Sequence, residues 1–305
     1  MEISVVICTY PIERYDAFCD AVDSILSQTY DPVELVVVVD SNDEIYEKAV
    51  DKYGNRDNVV IHNNKENVGN LESVNKGVEI ATGDIIANID DDATADENWV
   101  SELVSMYEEE DALAVGGRIE PDWVAGEAKH IPEEFYWLIG ATHRGFRKDA
   151  GTVRNTFGSN LSFRREVFLE LGGFKTEIGD EDRDRKLQGG ETELCARLHE
   201  EYGERLYYNP DALVFHKIFD YRTKRKWLVK RAFWQGFSKR GMEVLVPESS
   251  SEEWGFLSDL LLRFIPSRFK NIVCQPARYK IDQFAMLFVL TTAVGLGYLY
   301  GIIKW

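Results

Sequence analysis

Four short runs of apolar, mostly β-branched residues constrain this chain more than any other feature: 3–8 (ISVVIC), 35–39 (LVVVV), 59–62 (VVIH) and 85–89 (IIANI). Such runs, lacking the polar alternation of a half-exposed strand, read as strands covered on both faces. Between them the apolar residues take helical spacing: Phe18, Val22, Ile25 and Leu26 within 14–29, then 43–53, then 71–81 before Gly83. Strands alternating with helices predict an α/β, Rossmann-like, mostly parallel, doubly wound sheet over 1–115. Ligands of such sheets lie beyond the carboxyl ends of the strands. The polar residues at or near those ends are Thr9, Asp40, Asn67 and the triplet Asp90, Asp91 and Asp92.

Residues 116–216 make a second half, running from GGRIEP to VFH. It holds a glycine-marked strand signal (FGSNLSF), a turn at Gly172 and Gly173, and a helix over 192–202 behind GGETEL. The polar, glycine-bounded stretch 175–190 is expected to be a mobile loop. No CxxC pair links the four scattered cysteines, which fits a reduced, intracellular set. Met1 and Glu2 lead straight into an apolar strand, so no N-terminal targeting signal is expected.

From 217 the character changes. Nine basic residues face one acid in 217–240, and 200–305 carries +5 while the whole chain carries −18. The acidic excess excludes a duplex-coating nucleic-acid binder. A basic, aromatic rear behind an acidic body fits contact with anionic headgroups or phosphates, so 217–282 is expected to be a basic, amphipathic, membrane-proximal region. No residue from 283 to 303 is charged, and 21 residues of helix cover one hydrocarbon core. A transmembrane helix over 283–303 is therefore predicted, with Tyr298, Tyr300 and Trp305 near one interface; a buried core helix is the alternative. Arg263, Arg268, Lys270, Arg278 and Lys280 precede the stretch and only Lys304 follows it. The positive-inside rule then puts the protein on the cell membrane with its large N-terminal portion in the cytoplasm.

Three carboxylates in a row after an apolar strand repel one another and call for a cation, and oxygen ligands suit Mg²⁺ or Mn²⁺. Strand alternation turns Asp90 and Asp92 to one side and Asp91 to the other. The plainer alternative is a solvated loop whose acids cap the helix near 97–106. Glu191 and Glu193 open a helix, where either acid would also serve the helix dipole. His216 closes the apolar strand DALVFH, where a satisfied core histidine competes with a ligand.

The ordered series SVVICTYPIER, LVVVVD, NVGNLESVNKGVEIATGDIIANIDDDA, GSNLSFRREVFLELGGF, GGETELCARL and YYNPDALVFH covers about residues 3–216. It resembles the inverting family 2 glycosyltransferases of the nucleotide-diphospho-sugar transferase (GT-A) fold. The resemblance implies that 1–115 is the nucleotide-sugar-binding half and 116–216 the acceptor-binding, catalytic half. Thr9, Tyr10, Arg14 and Asp40 then contact the nucleobase and ribose of a UDP- or GDP-sugar, and Asn67 and Gly69 open the loop nearby. The DxD pair, Asp90 and Asp92, binds ribose and the metal bridging the diphosphate; Asp90 and Asp91 are assigned to the nucleotide-sugar, Asp92 and His216 to the metal. Glu191 takes the place of the general base, and Gly158, Ser159 and Asn160 shape the acceptor wall.

Departures from the family pattern are Ser41-Asn42 after Asp40, Val74 where many members carry Arg, and Gly190-Glu191 where Glu-Asp is usual. The Gln-x-x-Arg-Trp motif of processive members is absent, which implies one sugar per encounter. Within the family the chain resembles haloarchaeal N-glycosylation transferases acting on dolichyl phosphate-linked glycans of S-layer proteins, including those adding hexuronic acids. The acceptor implied is a saccharide on a dolichyl or polyprenyl phosphate, with a membrane as partner. A dolichyl-phosphate monosaccharide synthase and an exopolysaccharide transferase are the enzymatic alternatives. A sugar-nucleotide-binding scaffold is the non-enzymatic one.

Overall fold

A computed structural model of the chain describes residues 1–178, 187–246 and 251–305. Half of the expected mobile loop, 179–186, lies outside the described residues. The chain divides into two compact units: residues 1–120, 147–180 and 190–217 form one, and 121–146, 181–189 and 218–305 the other. The first unit draws on both expected halves because strands from both enter one sheet.

That sheet begins with β1 (Ile3–Thr9), α1 (Tyr15–Leu26), β2 (Val33–Val39), α2 (Asp43–Tyr53), β3 (Val59–Asn63), α3 (Asn70–Ile80) and β4 (Ile85–Asp90). It continues through β5 (Ala93–Ala95), α4 (Trp99–Glu109), β6 (Ala114–Trp123), β7 (Gly151–Val153), β8 (Leu161–Arg164), α5 (Arg165–Glu170), α6 (Gly190–Tyr202) and β9 (Leu206–Ile218). Among the described residues the strand order is β3-β2-β1-β4-β8-β6-β9-β5, with β7 on β9. The first four strands are parallel. β1, β2 and β4 are buried on both faces, whereas the edge strand β3 exposes Val60 and is not the doubly covered strand its apolar run predicts. Beyond β4 the pairings turn antiparallel: β8 lies against β4 and β6, and β5 and β7 against β9. The short β5 and β7 carry little sequence signal, and pairing with the long β9 is what defines them.

Register aligns the functional edge. Thr9 stands opposite Val39, and Cys8 opposite Asp90, so the carboxyl ends of β1, β2 and β4 finish together. Beneath them Val6, Val36 and Val38 pack with Val74 and Val78 of α3. A β-carbon on Gly77 would come within 2.4 Å of Val6 Cγ1, so α3 approaches β1 through a glycine. Val74, at the family's Arg position, is thus a core residue.

The second unit is helical: a 3₁₀ segment (Glu133–Ile139), α7 (Asp220–Thr223), α8 (Arg225–Leu245), α9 (Ser251–Asp259), a π-helical turn (Leu260–Phe264), α10 (Ile265–Cys274) and α11 (Arg278–Lys304). Glu134 is fully buried within it and receives Arg268 in a fork, with Nε–Oε1 at 2.9 Å and Nη2–Oε2 at 2.6 Å. Arg268, counted above among the cations flanking a membrane helix, is therefore spent on an internal ion pair.

Candidate active site

Three backbone features assemble the site in the first unit. β4 ends at Asp90, so Asp91 and Asp92 occupy the tight connection to β5. β5 pairs antiparallel with β9, setting His216 opposite Ala93, one residue beyond Asp92. The Lys217 N–H donates to the Asp92 carbonyl at 2.7 Å and closes the same corner.

As a result a ligand atom from each of Asp90, Asp92 and His216 lies within 4.8 Å of the others. His216 Nε2 is 3.1 Å from Asp92 Oδ1, and both side chains are buried. Two carboxylate oxygens and one imidazole nitrogen form a donor set that fits a divalent cation. Asp91 stands outside that donor set, although Arg14 bridges it to Asp92. Its Oδ2 accepts from Thr9 Oγ1 at 2.8 Å, and Arg14 Nη1 stands 3.6 Å from its Oδ1 and 3.3 Å from Asp92 Oδ2. Burial, with Asp92 beside it, pushes the Asp91 carboxyl up to about 7, against the pull of Arg14 and Thr9.

Asp40 organises the adjoining loop. Its Oδ1 accepts from Asn64 Nδ2 and the Val68 N–H, both at 3.0 Å, and its Oδ2 accepts from the Gly69 N–H at 2.9 Å. Gly69 has φ of 91°, the left-handed region that glycine adopts freely, and it caps α3. Asn67 and the Tyr10 side chain are exposed, and Asn42 Nδ2 donates to the Tyr10 carbonyl at 2.8 Å. Asn64, which also donates to Ser73 Oγ at 3.0 Å, escaped notice in the sequence because it lies just beyond β3 with no motif around it.

Glu191 enters from the first turn of α6, half-buried. A β-carbon on Gly158 would stand 2.8 Å from its Oε1. Burial raises its carboxyl above the ordinary value, although the backbone N–H groups of Glu191 and Gly158 donate to it and pull the other way. Gly158 is fixed in turn by Asn88, whose Nδ2 donates to its carbonyl at 2.6 Å. Asn88 precedes Asp90 by two residues on β4, so one strand anchors both the acidic cluster and the support of Glu191. The one polar side chain within IIANI was the available signal for it.

Two expectations change. Asn160 is fully buried; it accepts from Trp99 Nε1 at 2.9 Å and donates to the Arg118 and Ala212 carbonyls at 2.9 and 2.8 Å. Its side chain is occupied in the core, and with Ser159 also buried only Gly158 of that trio bears on Glu191. Glu193 is also buried, forked to Arg197 at 2.8 and 2.7 Å and paired with Lys175 at 2.7 Å, so it is no exposed twin of Glu191.

Comparison with known proteins identifies the family and the fold. The model of the family described as glycosyl transferase family 2 matches residues 4–172. Glucosyl-dolichyl phosphate glucuronosyltransferase of Haloferax volcanii is 49% identical over 304 residues, covering 99% of this chain and 97% of its own. Among solved structures, a mannosyltransferase of Pyrobaculum calidifontis in complex with GDP-Man and Mn²⁺ aligns with a TM-score of 0.61 at 16% identity, over 98% of this chain and 87% of its own. GalNAc-T7 with UDP, GalNAc and Mn²⁺ aligns with a TM-score of 0.56 at 17% identity, over 85% of this chain and 54% of its own. At these identities the two structures speak for the fold.

Proposed function

The chain belongs to glycosyl transferase family 2 and is a glycosyltransferase, and on that premise we propose that it moves a hexuronic acid from a nucleotide-diphospho-sugar to glucosyl-dolichyl phosphate, with inversion. The near-complete match to a relative bearing that activity carries the choice of donor and acceptor. Supporting the chemistry is the shared anchoring of two groups on β4: Asp90 directly, and Glu191 through Asn88 and Gly158.

Asp90, Asp92 and His216 would hold a divalent metal, Mg²⁺ or Mn²⁺, and the Mn²⁺ bound by both structural neighbours favours that reading. When bound there, such a cation neutralises the departing diphosphate as a Lewis acid. Thr9, Tyr10, Arg14, Asp40, Asn67, Gly69 and Asp91 form the nucleotide-facing rim. Glu191, as general base, takes the proton of the acceptor hydroxyl while that oxygen attacks the anomeric carbon. The new glycosidic bond forms as the bond to the nucleoside diphosphate breaks on the opposite face. A lipid-linked acceptor places the enzyme at the cytoplasmic face of the cell membrane.

Purified enzyme supplied with UDP- or GDP-glucuronic acid, or the matching glucose donors, tests the assignment. Glucosyl-dolichyl phosphate should gain one uronic acid, read by mass spectrometry. Charging of bare dolichyl phosphate instead would make it a monosaccharide synthase, and transfer of glucose alone would overturn the donor.

A further inference from the structure

α11 is long and apolar enough to cross a membrane, but its partner helix is not. A β-carbon on Gly236 of α8 would stand 2.0 Å from the Val294 carbonyl oxygen, and one on Gly297 of α11 would stand 1.8 Å from the Phe233 carbonyl oxygen. Further along, the site of a Gly301 β-carbon meets Arg240 Cβ at 2.8 Å, and that of Gly241 meets the Trp305 ring at 3.1 Å. Contacts advance together along both helices, from Phe233 with Gly297 to Gly241 with Trp305, so the pair runs parallel with backbones touching. α8 carries Lys226, Lys230, Arg231, Lys239, Arg240 and Glu243. Crossing the bilayer in this arrangement would carry those charges through hydrocarbon, which is strongly disfavoured.

The rest of α11 is divided by face. Met286, Leu287, Leu290, Ala293, Gly297 and Gly301 are buried, whereas Ile281, Phe288, Val289, Leu296, Leu299 and Ile303 are exposed. At 100° per residue the exposed set falls on one arc of under half the circumference, running the length of the helix. A second exposed stripe, Leu262, Phe269 and Val273, lies on the π-turn and α10 beside Arg263 and Lys270. Exposed Lys224, Arg225, Lys226 and Lys230 surround the start of α8, and Arg225 reaches Asp282 of α11 at 3.7 Å.

We infer that α11 does not span the membrane but lies along it, its outer face sunk in one leaflet, with the basic start of α8 against anionic headgroups. Apolar faces flanked by cations bind anionic bilayers in this in-plane manner. The inference extends the membrane placement proposed above, and its test reads topology and attachment without any sugar transfer, so the two readings fail separately.

Cys8, Cys19 and Cys195 are buried, so a Cys274→Ser background admits single reporters at Tyr279→Cys and Lys304→Cys. An in-plane helix on the cytoplasmic face leaves both reporters shielded from impermeant maleimide in intact spheroplasts and both labelled in inverted vesicles. Labelling of one end from each side would mean a span and overturn the inference. As a second arm, purified Leu296→Glu/Leu299→Glu should bind phosphatidylglycerol–phosphatidylcholine vesicles at least about tenfold more weakly than the parent, with its fold intact by circular dichroism. Undiminished binding, or a solution dimer that these substitutions dissolve, would equally overturn it.

Discussion

The carboxylate of Glu191 rests on Gly158, where a β-carbon would stand 2.8 Å from Oε1. An alanine there pushes the carboxylate aside without changing its chemistry. Gly158→Ala should therefore lower kcat while leaving nucleotide affinity intact, because the nucleotide-facing loop hangs on Asp40 instead. A misplaced base costs on the order of 10²-fold. A change in donor Kd, read by calorimetry, would show that Gly158 serves the donor.

Glu191→Gln keeps the volume of the side chain and removes the proton acceptor, so turnover should fall about 10²–10⁴-fold. The pH dependence is more telling. Burial raises the pKa of Glu191 in the free enzyme, so the acid limb of kcat/KM should lie above the ordinary glutamate range and vanish in the Gln variant. Stability runs the other way. As pH rises from the ordinary glutamate value through the raised one, the folded state holds more protons than the unfolded state and stability falls. At neutral pH Glu191→Gln should thus melt higher than the parent while losing rate. A lower Tm would contradict the raised pKa.

Glu193→Gln will not behave as an innocent neighbour. Its carboxylate is buried and forked to the half-buried Arg197, so losing the charge leaves that guanidinium with only the Leu171 and Gly173 carbonyls as partners. Breaking such a pair costs about 3–5 kcal/mol. The variant should unfold earlier in urea, with the kcat of its folded fraction nearly unchanged.

Metal dependence follows from Asp90, Asp92 and His216 converging within 4.8 Å. Asp92→Ala should abolish transfer and Mn²⁺ binding together with the fold intact, and chelator should reproduce the loss in the parent. His216→Ala should retain activity only at metal concentrations raised about tenfold or more, as ligand loss implies. Asp91→Asn, off the cluster and still an acceptor for Thr9, should disturb metal affinity far less.

How far the sequence reached depended on the range of the interaction. Residues 35–39 and 85–89 announced buried strands because composition alone makes them so, and the strand ends located Thr9, Asp40 and the acid triplet. The link from His216 to Asp92 was not legible by spacing, since a three-residue strand 121 residues upstream of β9's His216 places it, by pairing rather than by propensity. Asn160 read as site wall because the family resemblance places it there with Gly158 and Ser159. Only the three-dimensional packing of Trp99, Arg118 and Ala212 around it reveals a core residue. Arg268 misled for the same reason: charge along a chain does not say which cations have an internal partner.

That cation supports the last prediction. Glu134 is fully buried and accepts from Arg268 at 2.6–3.0 Å and from Arg144 at 3.2 Å, while Arg268 Nη1 also reaches Gln283 Oε1 of α11 at 2.7 Å. The acid therefore holds α10 and the start of α11 to the 3₁₀ segment. Glu134→Gln strips the charge and strands Arg268 among buried groups, a loss of about 3–5 kcal/mol. Arg268→Met alone should cost less, because Arg144 still neutralises Glu134. Glu134→Leu combined with Arg268→Met should recover much of the stability, since apolar replacement of a buried pair is often near neutral. Urea unfolding of the three variants orders these costs. If all three prove equally stable, the fork is a surface contact in solution and Arg268 returns to the set of cations open to headgroups.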